Sequence, residues 1–517
     1  MSRTKSSLER LNSDRSRILA QSDEARALRT AGALLSRGQF AMSRSMHVHF
    51  IGVAGTGMAG VAGLMASLGH RVTGSDRAFD PPMGPALVDY GVETMRGYDP
   101  KNLAGPPDLV VVGNVCRPDH VEARAALDQG LRCVSFPELL ESHVLHERRS
   151  FVVAGTHGKT TCTSLLTKLL DDAGQQPGFL VGGIPQDFGR GFRAGTPGGP
   201  FVIEGDEYDC AFFEKRPKFW RYRPEAVLLT SVEHDHIDIY PDRASYEAAF
   251  EGLIERIPED GLLVAYAGDE SVVRLAEKAV CRVVHYATDD DRAYAPAIWH
   301  GALAPPTLGA TPVELFGGGT FLGRVMMPLA GRHNARNLVG CIALAAEAAR
   351  ADLGGLLKSA ARFSGVMRRQ QLLAVAGGVN VVDDFAHHPT AVRETLRGLR
   401  GFTKGRLLVA YEPRSATATR ALHQDAYVDA FDAADHVWLA PLGRAIPEDE
   451  RLDLPALRNA IAERGGSVET PPSLDALVDA ARGLAKPGDT LVLMSNGAFG
   501  GVHDRLIAAL TPVGRKR

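Results

Sequence analysis

The sequence predicts an α/β protein of three domains, with Rossmann-like sheets at the two ends and a central domain of the phosphate-loop ATPase type. Three observations predict it. The chain has 517 residues, more than one core normally organises, and its 45% hydrophobic and 23% charged content is that of a globular protein. An apolar strand runs through a glycine turn into a helix twice, at HVHFIGVAGTG and at SFVVAGTHGKTT. The alternation of strand and helix then restarts a third time at GRLLVAYEP.

In chain order, residues 1–45 carry nine Arg/Lys against four Asp/Glu and are rich in Ser, with no apolar periodicity, so they are expected to be a disordered extension. Residues 46–148 form the first expected domain. His47–Val53 reads as a buried strand entering Gly55, Gly57 and Gly60, followed by a helix, the strand RVTGSD and further strands at LVVVGN and RCVSF. Residues 149–366 form the second. Its strands FVIEGDEYD and AVLLTSVEHDHID deliver acidic and histidine residues at their C-terminal ends, where open α/β sheets place their sites. Gly, Pro and alternating residues over 296–327 suggest a small antiparallel insertion before the helix of GRHNARNLVGCIALAAEAAR. Residues 367–517 alternate again through HVWLAPL and DTLVLMSNG.

Net charge is −3, which offers no field to gather nucleic acid or an anionic membrane, so phosphate recognition must be local. No apolar run is long enough to span a bilayer, and the six cysteines show no C-x-x-C spacing; a reducing cytoplasm is the expected compartment.

Two glycine loops carry the chemistry. Gly55-Thr-Gly57-Met-Ala-Gly60 matches G-x-G-x-x-G with Asp76 after the next strand, which taken alone suggests a nicotinamide dinucleotide; the alternative is the diphosphate of another nucleotide, such as a UDP-sugar, at the helix N-terminus. Gly155-Thr156-His157-Gly158-Lys159-Thr160-Thr161 is more specific. Its backbone amides would cradle a triphosphate, Lys159 would reach the terminal phosphates and Thr160 would ligate Mg2+. Val153 stands where the usual phosphate-loop spacing has Gly, so the loop is a shortened variant. The carboxylates of Glu204, Asp206, Glu207 and Asp209 repel one another unless a cation compensates, and His236 ends the next strand among Glu233, His234, Asp235 and Asp238.

The succession HFIGVAGTGMAG, AGTHGKTT, EGDEYD, SVEHDHID, GRHNARN, SGVMRR and DDFAHHP resembles the Mur ligase family from about residue 46 to the C-terminus. The resemblance implies a carboxylate activated by ATP as an acyl phosphate, then attacked by an amine to give an amide, ADP and phosphate. It implies that Gly52, Gly55, Thr56, Gly57, Met58 and Asp76, with Gly60, bind the UDP-sugar. Gly155 to Thr161, Asn334, Asn337, Arg368 and Asp384 would bind ATP. Thr160, Glu204 and His236 would hold magnesium, and Lys159, Glu204, His236, Arg368, His387 and His388 would be catalytic. Relatives often carry a carbamoylated lysine where Phe250 stands, and its loss resembles the branch acting directly on UDP-N-acetylmuramate. Within that branch, EGDEYDCAFFEKRPKFWRYRP, EPRSATAT and MSNGAFGGVH resemble the enzymes that attach the tripeptide L-alanyl-γ-D-glutamyl-meso-diaminopimelate rather than L-alanine. Lys215, Arg216, Lys218 and Arg414 are the expected peptide contacts, although Ala416 stands where that group commonly has Asn. The partners implied are these small molecules, without nucleic acid or membrane, acting on a monomer or weak homo-oligomer. A nicotinamide-dependent dehydrogenase and a catalytically silent nucleotide-binding protein are the alternatives from other classes; neither explains both the Lys159 loop and the carboxylate and histidine clusters that follow it.

Overall fold

The computed structural model describes residues 45–80, 83–237, 239–289, 291–305 and 309–511. The expectation of disorder for residues 1–45 falls outside these apart from Ser45, as does Asp238.

Strands β1 (His47–Ile51), β2 (Arg71–Asp76), β3 (Glu93–Arg96), β4 (Leu109–Val112) and β5 (Cys133–Val134) form a parallel sheet in the order β3-β2-β1-β4-β5. β4 is buried at all four positions, which is why an uninterrupted apolar run LVVV becomes an inner parallel strand. The chain reverses direction across the sheet between β1 and β4, so the glycine loop after β1 opens into the crevice there.

The second sheet contains β6 (Arg149–Ala154), β7 (Gly178–Leu180), β8 (Phe192–Arg193), β9 (Pro200–Glu204), β12 (Pro224–Leu229), β13 (Leu262–Tyr266), β14 (Arg282–Thr288), β15 (Trp299–Leu303), β16 (Thr311–Gly317) and β17 (Thr320–Met327). Between β9 and β12 lies a separate hairpin, β10 (Asp209–Ala211) and β11 (Glu214–Pro217). β6 sits between β9 and β12, parallel to both, so three strand ends meet at one crevice. The antiparallel strands expected over 296–327 do not stand apart as an insertion. β15 pairs in parallel with β14, and β16 and β17 then extend the same sheet antiparallel.

In the third sheet, β18 (Gln371–Ala376), β19 (Val379–Asp384), β20 (Leu407–Tyr411), β21 (His436–Leu439), β22 (Val468–Glu469) and β23 (Thr490–Met494) lie in the order β18-β19-β23-β20-β21-β22, parallel except for β18. Each face buries its own core. Leu396, Val409, Tyr427 and Val492 belong to one, Leu408, Trp438, Leu477 and Leu506 to the other.

Contacts tie the sheets together. Phe212, at the tip of the β10–β11 hairpin, packs against the first sheet's core beside Cys116 and Val110, and Glu214 accepts from Ser135 Oγ at 2.7 Å. Helix Thr56–Ser67 rests on β7 and β8, and a Cβ on Gly60 would lie 3.1 Å from Leu180. Gly60 therefore serves the packing of the first sheet on the second. Phe250 is buried between Phe219 and Tyr246 and points into no cleft. No helix among the described residues is long and apolar enough to cross a membrane.

Candidate active site

A cleft of about 880 Å³ lies over the ends of β6, β9 and β12 and is lined on another side by the loop after β19. Thr56, Thr156 to Thr161, Glu204, His236, Asn334, Asn337, Arg368, Asp384, His387 and His388 all line it. Glu207, Tyr208, Glu233, Asp235, Arg369 and Thr390 line it too.

The loop between β6 and helix Lys159–Asp172 is held to the segment after β12. Thr156 N–H donates to Ser231 O at 2.9 Å, Glu233 N–H donates to Thr156 Oγ1 at 2.9 Å, and Thr156 Oγ1 donates to Glu233 O at 2.8 Å. Gly158 has φ of +80°, and a Cβ there would lie 2.6 Å from Asn337 Oδ1. Both conformation and space therefore require glycine, and Asn337 is a wall of the phosphate loop. Asn334 donates to Ala330 O at 2.8 Å, and Asn337 Nδ2 lies 3.4 Å from Asn334 Oδ1.

Glu207 organises the centre, its side chain wholly excluded from solvent. Lys159 Nζ lies 3.0 Å from each of its carboxylate oxygens, His236 Nε2 is 3.0 Å from Oε1, and Tyr246 OH donates to the same oxygen at 3.3 Å. Burial works against every charge here, but opposite charges outweigh it. Glu207, Asp206 and Glu204 hold the Lys159 ammonium above its ordinary pKa, and Lys159 and His236 hold the Glu207 carboxyl below its own. Burial likewise lowers the His236 imidazole, yet the bond to Glu207 and the charge of Asp235 leave it raised. Tyr208 OH, 2.7 Å from His236 Nδ1, fixes the other side of the ring.

Thr160 Oγ1 donates to Glu204 Oε1 at 2.8 Å, and Gly182 N–H donates to Oε2 at 2.7 Å. A hydroxyl and a carboxylate side by side at a helix start form an oxygen donor pair suited to a hard divalent cation. Both nitrogens of His236, by contrast, are engaged by Tyr208 and Glu207.

From the third sheet, Asp384 is buried and accepts from Gln370 N–H and Ala386 N–H, each at 2.8 Å; burial raises its pKa although Arg369 opposes this. Arg368, at φ +63°, turns its guanidinium to Ser495 O and Gly497 O at 2.7 Å. Arg369, which sequence reasoning passed over, reaches Thr160 Oγ1 at 3.4 Å. Burial lowers His387 to about 4 and His388 to about 3, so both are neutral near pH 7. His157 Nε2 lies 2.7 Å from Glu233 Oε2, and Thr390 Oγ1 donates to Glu233 Oε1 at 2.8 Å. Burial opposes the Glu233 charge, but His157 leads a group of partners that hold it at about 2.

The expected UDP-sugar residues other than Thr56 stand apart from this cleft. Gly55, Thr56 and Gly57 are exposed at the first glycine loop, Gly52 lies buried beneath them, and Met58 is packed inside. Asp76 accepts from Ala54 N–H at 2.9 Å and Tyr98 OH at 3.1 Å, so it braces that loop.

The three basic residues expected to meet the peptide are turned elsewhere. Lys215 pairs with Asp209 at 2.8 Å, Arg216 with Glu214 at 2.6 Å, and the buried Lys218 with Asp206 at 2.7 Å. None lines the cleft, because each is spent on a carboxylate near it in the chain. Arg414 is placed differently. It lines a second cavity of about 370 Å³ with Tyr208, Ser415, Ala416, Gly443, Arg444 and Asn496. A Cβ on Gly497 would sit 2.2 Å from Arg414 Cδ, so bare backbone at Gly497 gives that side chain its passage. Asn496 Oδ1 is buried without a hydrogen-bond partner. Arg444 had no motif of its own to mark it, and Asn496 lies in MSNGAFGGVH without having been assigned a role there.

The family descriptions of the Mur ligases match the three sheets in turn: the Mur ligase family catalytic domain at residues 47–148, the Mur ligase middle domain at 153–345 and the Mur ligase glutamate ligase domain at 368–497. The chain belongs to the Mur ligase family. Among curated Mur ligases it is 35% identical to the UDP-N-acetylmuramate–L-alanyl-gamma-D-glutamyl-meso-2,6-diaminoheptandioate ligase of Escherichia coli K12, over 90% of this chain and 98% of that one. It is 34% identical to the UDP-N-acetylmuramate–L-alanine ligase of Roseiflexus sp. RS-1, over 87% and 96%. Among solved Mur ligase structures, the murein peptide ligase of Psychrobacter arcticus 273-4 superposes with a TM-score of 0.68 at 33% identity, covering 91% of this chain and 99% of that one.

Proposed function

We propose that this Mur ligase joins the lactyl carboxylate of UDP-N-acetylmuramate to the amine of L-alanyl-γ-D-glutamyl-meso-diaminopimelate, using ATP and an acyl-phosphate intermediate, in the cytoplasm. The observation that carries the tripeptide reading is the second cavity. Tyr208 lines both spaces, so an amine at the reacting end of the cleft has a route for the rest of a peptide past Tyr208. Two guanidiniums, Arg414 and Arg444, offer charge-assisted bonds to a carboxylate, and the unpartnered Asn496 Oδ1 offers an acceptor to an ammonium. The far end of diaminopimelate carries both groups. Free L-alanine has nothing to place there. The six cysteines, all free, fit a reducing compartment.

Within the cleft, the amides around Gly158 would cradle the ATP phosphates, Lys159 would meet the terminal ones, and Arg369 would approach from the third domain. Thr160 and Glu204 would hold a magnesium ion, with His236 as the candidate at a second, and magnesium would neutralise charge on the transferring phosphoryl group. The exposed loop of Gly55, Thr56 and Gly57 would hold the UDP moiety.

The deciding measurement is phosphate release with UDP-N-acetylmuramate and MgATP, comparing the tripeptide with L-alanine. Turnover with the tripeptide and little with L-alanine is expected. Preference for L-alanine would put the chain with relatives such as the Roseiflexus enzyme. Arg414→Ala and Arg444→Ala should each raise the tripeptide KM about tenfold while leaving that for ATP nearly unchanged.

A further inference from the structure

His157, Glu233 and His388 gather a set of donors that the phosphate chemistry leaves unused. His157 belongs to the loop before helix Lys159–Asp172, Glu233 follows β12, and His388 caps helix Pro389–Phe402 of the third domain. One ligand-competent atom from each lies within 4.8 Å of the other two. The first two are positioned by backbone: the reciprocal bonds of Thr156 Oγ1 to Glu233 fix one, and His157 N–H donates to Ser231 Oγ at 3.1 Å. Thr390 holds the second Glu233 oxygen from the third domain. His388 is 5% exposed, and its Nε2 is buried with no hydrogen-bond partner.

We propose that these three residues form a binding site for one zinc-class divalent cation that ties the phosphate loop of the central domain to the third domain. Two imidazoles and a carboxylate are the donor set of zinc sites that keep a fourth position open. Magnesium, which takes oxygen ligands and sheds water reluctantly, is a poor match for two ring nitrogens, so the site discriminates against the ion that ATP brings. Zinc bonds of about 2.0–2.1 Å to nitrogen and about 2.0–2.2 Å to oxygen place neighbouring donors roughly 3.3 Å apart. His157 and Glu233, now at 2.7 Å, need only part slightly, and His388 closes from the other side. On binding, each ring presents Nε2 to the ion and carries its remaining proton on Nδ1. His388 gives up only the long 3.3 Å bond by which Nδ1 accepts from Thr390 N–H. The ring of His423, 4.7 Å from that of His388, backs the site. Because His157 is inside the phosphate loop, an ion here would hold the two domains together across the cleft and slow turnover.

The test uses the full chain, free of nucleotide and in excess magnesium. Zinc is titrated by competition with a chromogenic chelator, and cobalt(II) is added to a parallel sample. One bound zinc, a four-coordinate cobalt absorption band and a zinc-dependent rise in melting temperature are expected. His388→Ala and the isosteric Glu233→Gln, each shown to be folded by circular dichroism, should bind zinc at least about tenfold more weakly and lose the cobalt band. Glu204→Gln should bind zinc as the unaltered chain does. No zinc bound in excess magnesium would overturn the proposal, as would binding that survives His388→Ala but is lost in Glu204→Gln, which would place the ion beside Thr160.

Discussion

With its side chain out of solvent and Lys159, His236 and Tyr246 turned toward one oxygen, Glu207 is an anion whose charge is balanced only while its partners stay in place. Lys159→Met should therefore do two things. Turnover should vanish, since on the proposed placement the ammonium would meet the ATP phosphates, while UDP-N-acetylmuramate would still bind at the first glycine loop. Stability should also drop by about 3 kcal/mol, the low end for breaking a buried pair, because His236 still faces Glu207. Urea unfolding and calorimetric titration would check this, and an unchanged unfolding midpoint would show that Glu207 relaxes at no cost. Gly497→Ala should act on a single partner, crowding Arg414 at its Cδ; a raised tripeptide KM with an unchanged ATP KM is expected, and unchanged tripeptide kinetics would refute the placement. Lys159, Thr160 and Glu204 were legible in the sequence because the phosphate loop and the acidic strand end are local patterns. Glu207 looked like one carboxylate among four, since its burial arises from Tyr240 and Tyr246 more than thirty residues later. The ion pairs that occupy Lys215, Arg216 and Lys218 were hidden for a related reason: Asp209 and Asp206, partners of the two lysines, belong to the acidic cluster read as a cation site, and Glu214, partner of Arg216, stands outside that cluster.

The segment Ala386-His387-His388 shows how an element can set a pH response. Burial keeps His388 neutral down to about pH 3, whereas in the unfolded chain it protonates near its ordinary 6.5. Between these values the unfolded state holds the extra proton, so stability falls as pH falls, by up to about 1.4 kcal/mol per pH unit. His388→Asn keeps a side chain able to cap Thr390 N–H but has no proton to take up. Its melting temperature, followed from pH 7 to pH 4 with EDTA present, should decline less steeply than that of the unaltered chain. Equal slopes would mean that the histidine is hydrated in the folded state. At this scale the sequence was a good guide to strand–loop–helix units, whose periodicity is local. It misjudged residues 296–327, because alternation specifies antiparallel pairing but not whether the strands join an existing sheet; the parallel pairing of β15 with β14 decides that.

The cleft is assembled across domains, and side-chain bonds span the junction between the second and third: Thr390 to Glu233 at 2.8 Å and Thr417 to Asp235 at 2.8 Å. Replacing both threonines by valine should lower kcat about tenfold or more while leaving the KM for UDP-N-acetylmuramate within about twofold, since the loss falls on closure and not on the first domain. Steady-state kinetics on the folded double variant would settle it, and an unchanged kcat would remove these bonds from the closing step. No motif could have supplied this pairing, because Thr417 and Asp235 are 182 positions apart in the chain. At the opposite junction, the β10–β11 hairpin carries Phe212 into the first domain's core, while its chain leads straight back through Tyr208 and Glu207 to the carboxylates that line the cleft. A strut of this kind would link the two proposed nucleotide sites thermodynamically, and the link would be reciprocal: if UDP-N-acetylmuramate tightens ATP binding by some factor, ATP must tighten UDP-N-acetylmuramate by the same factor. Titrating each nucleotide in the presence and absence of the other would measure one coupling constant twice, and shortening the strut at Phe212 to Ala should bring that constant toward unity from both directions.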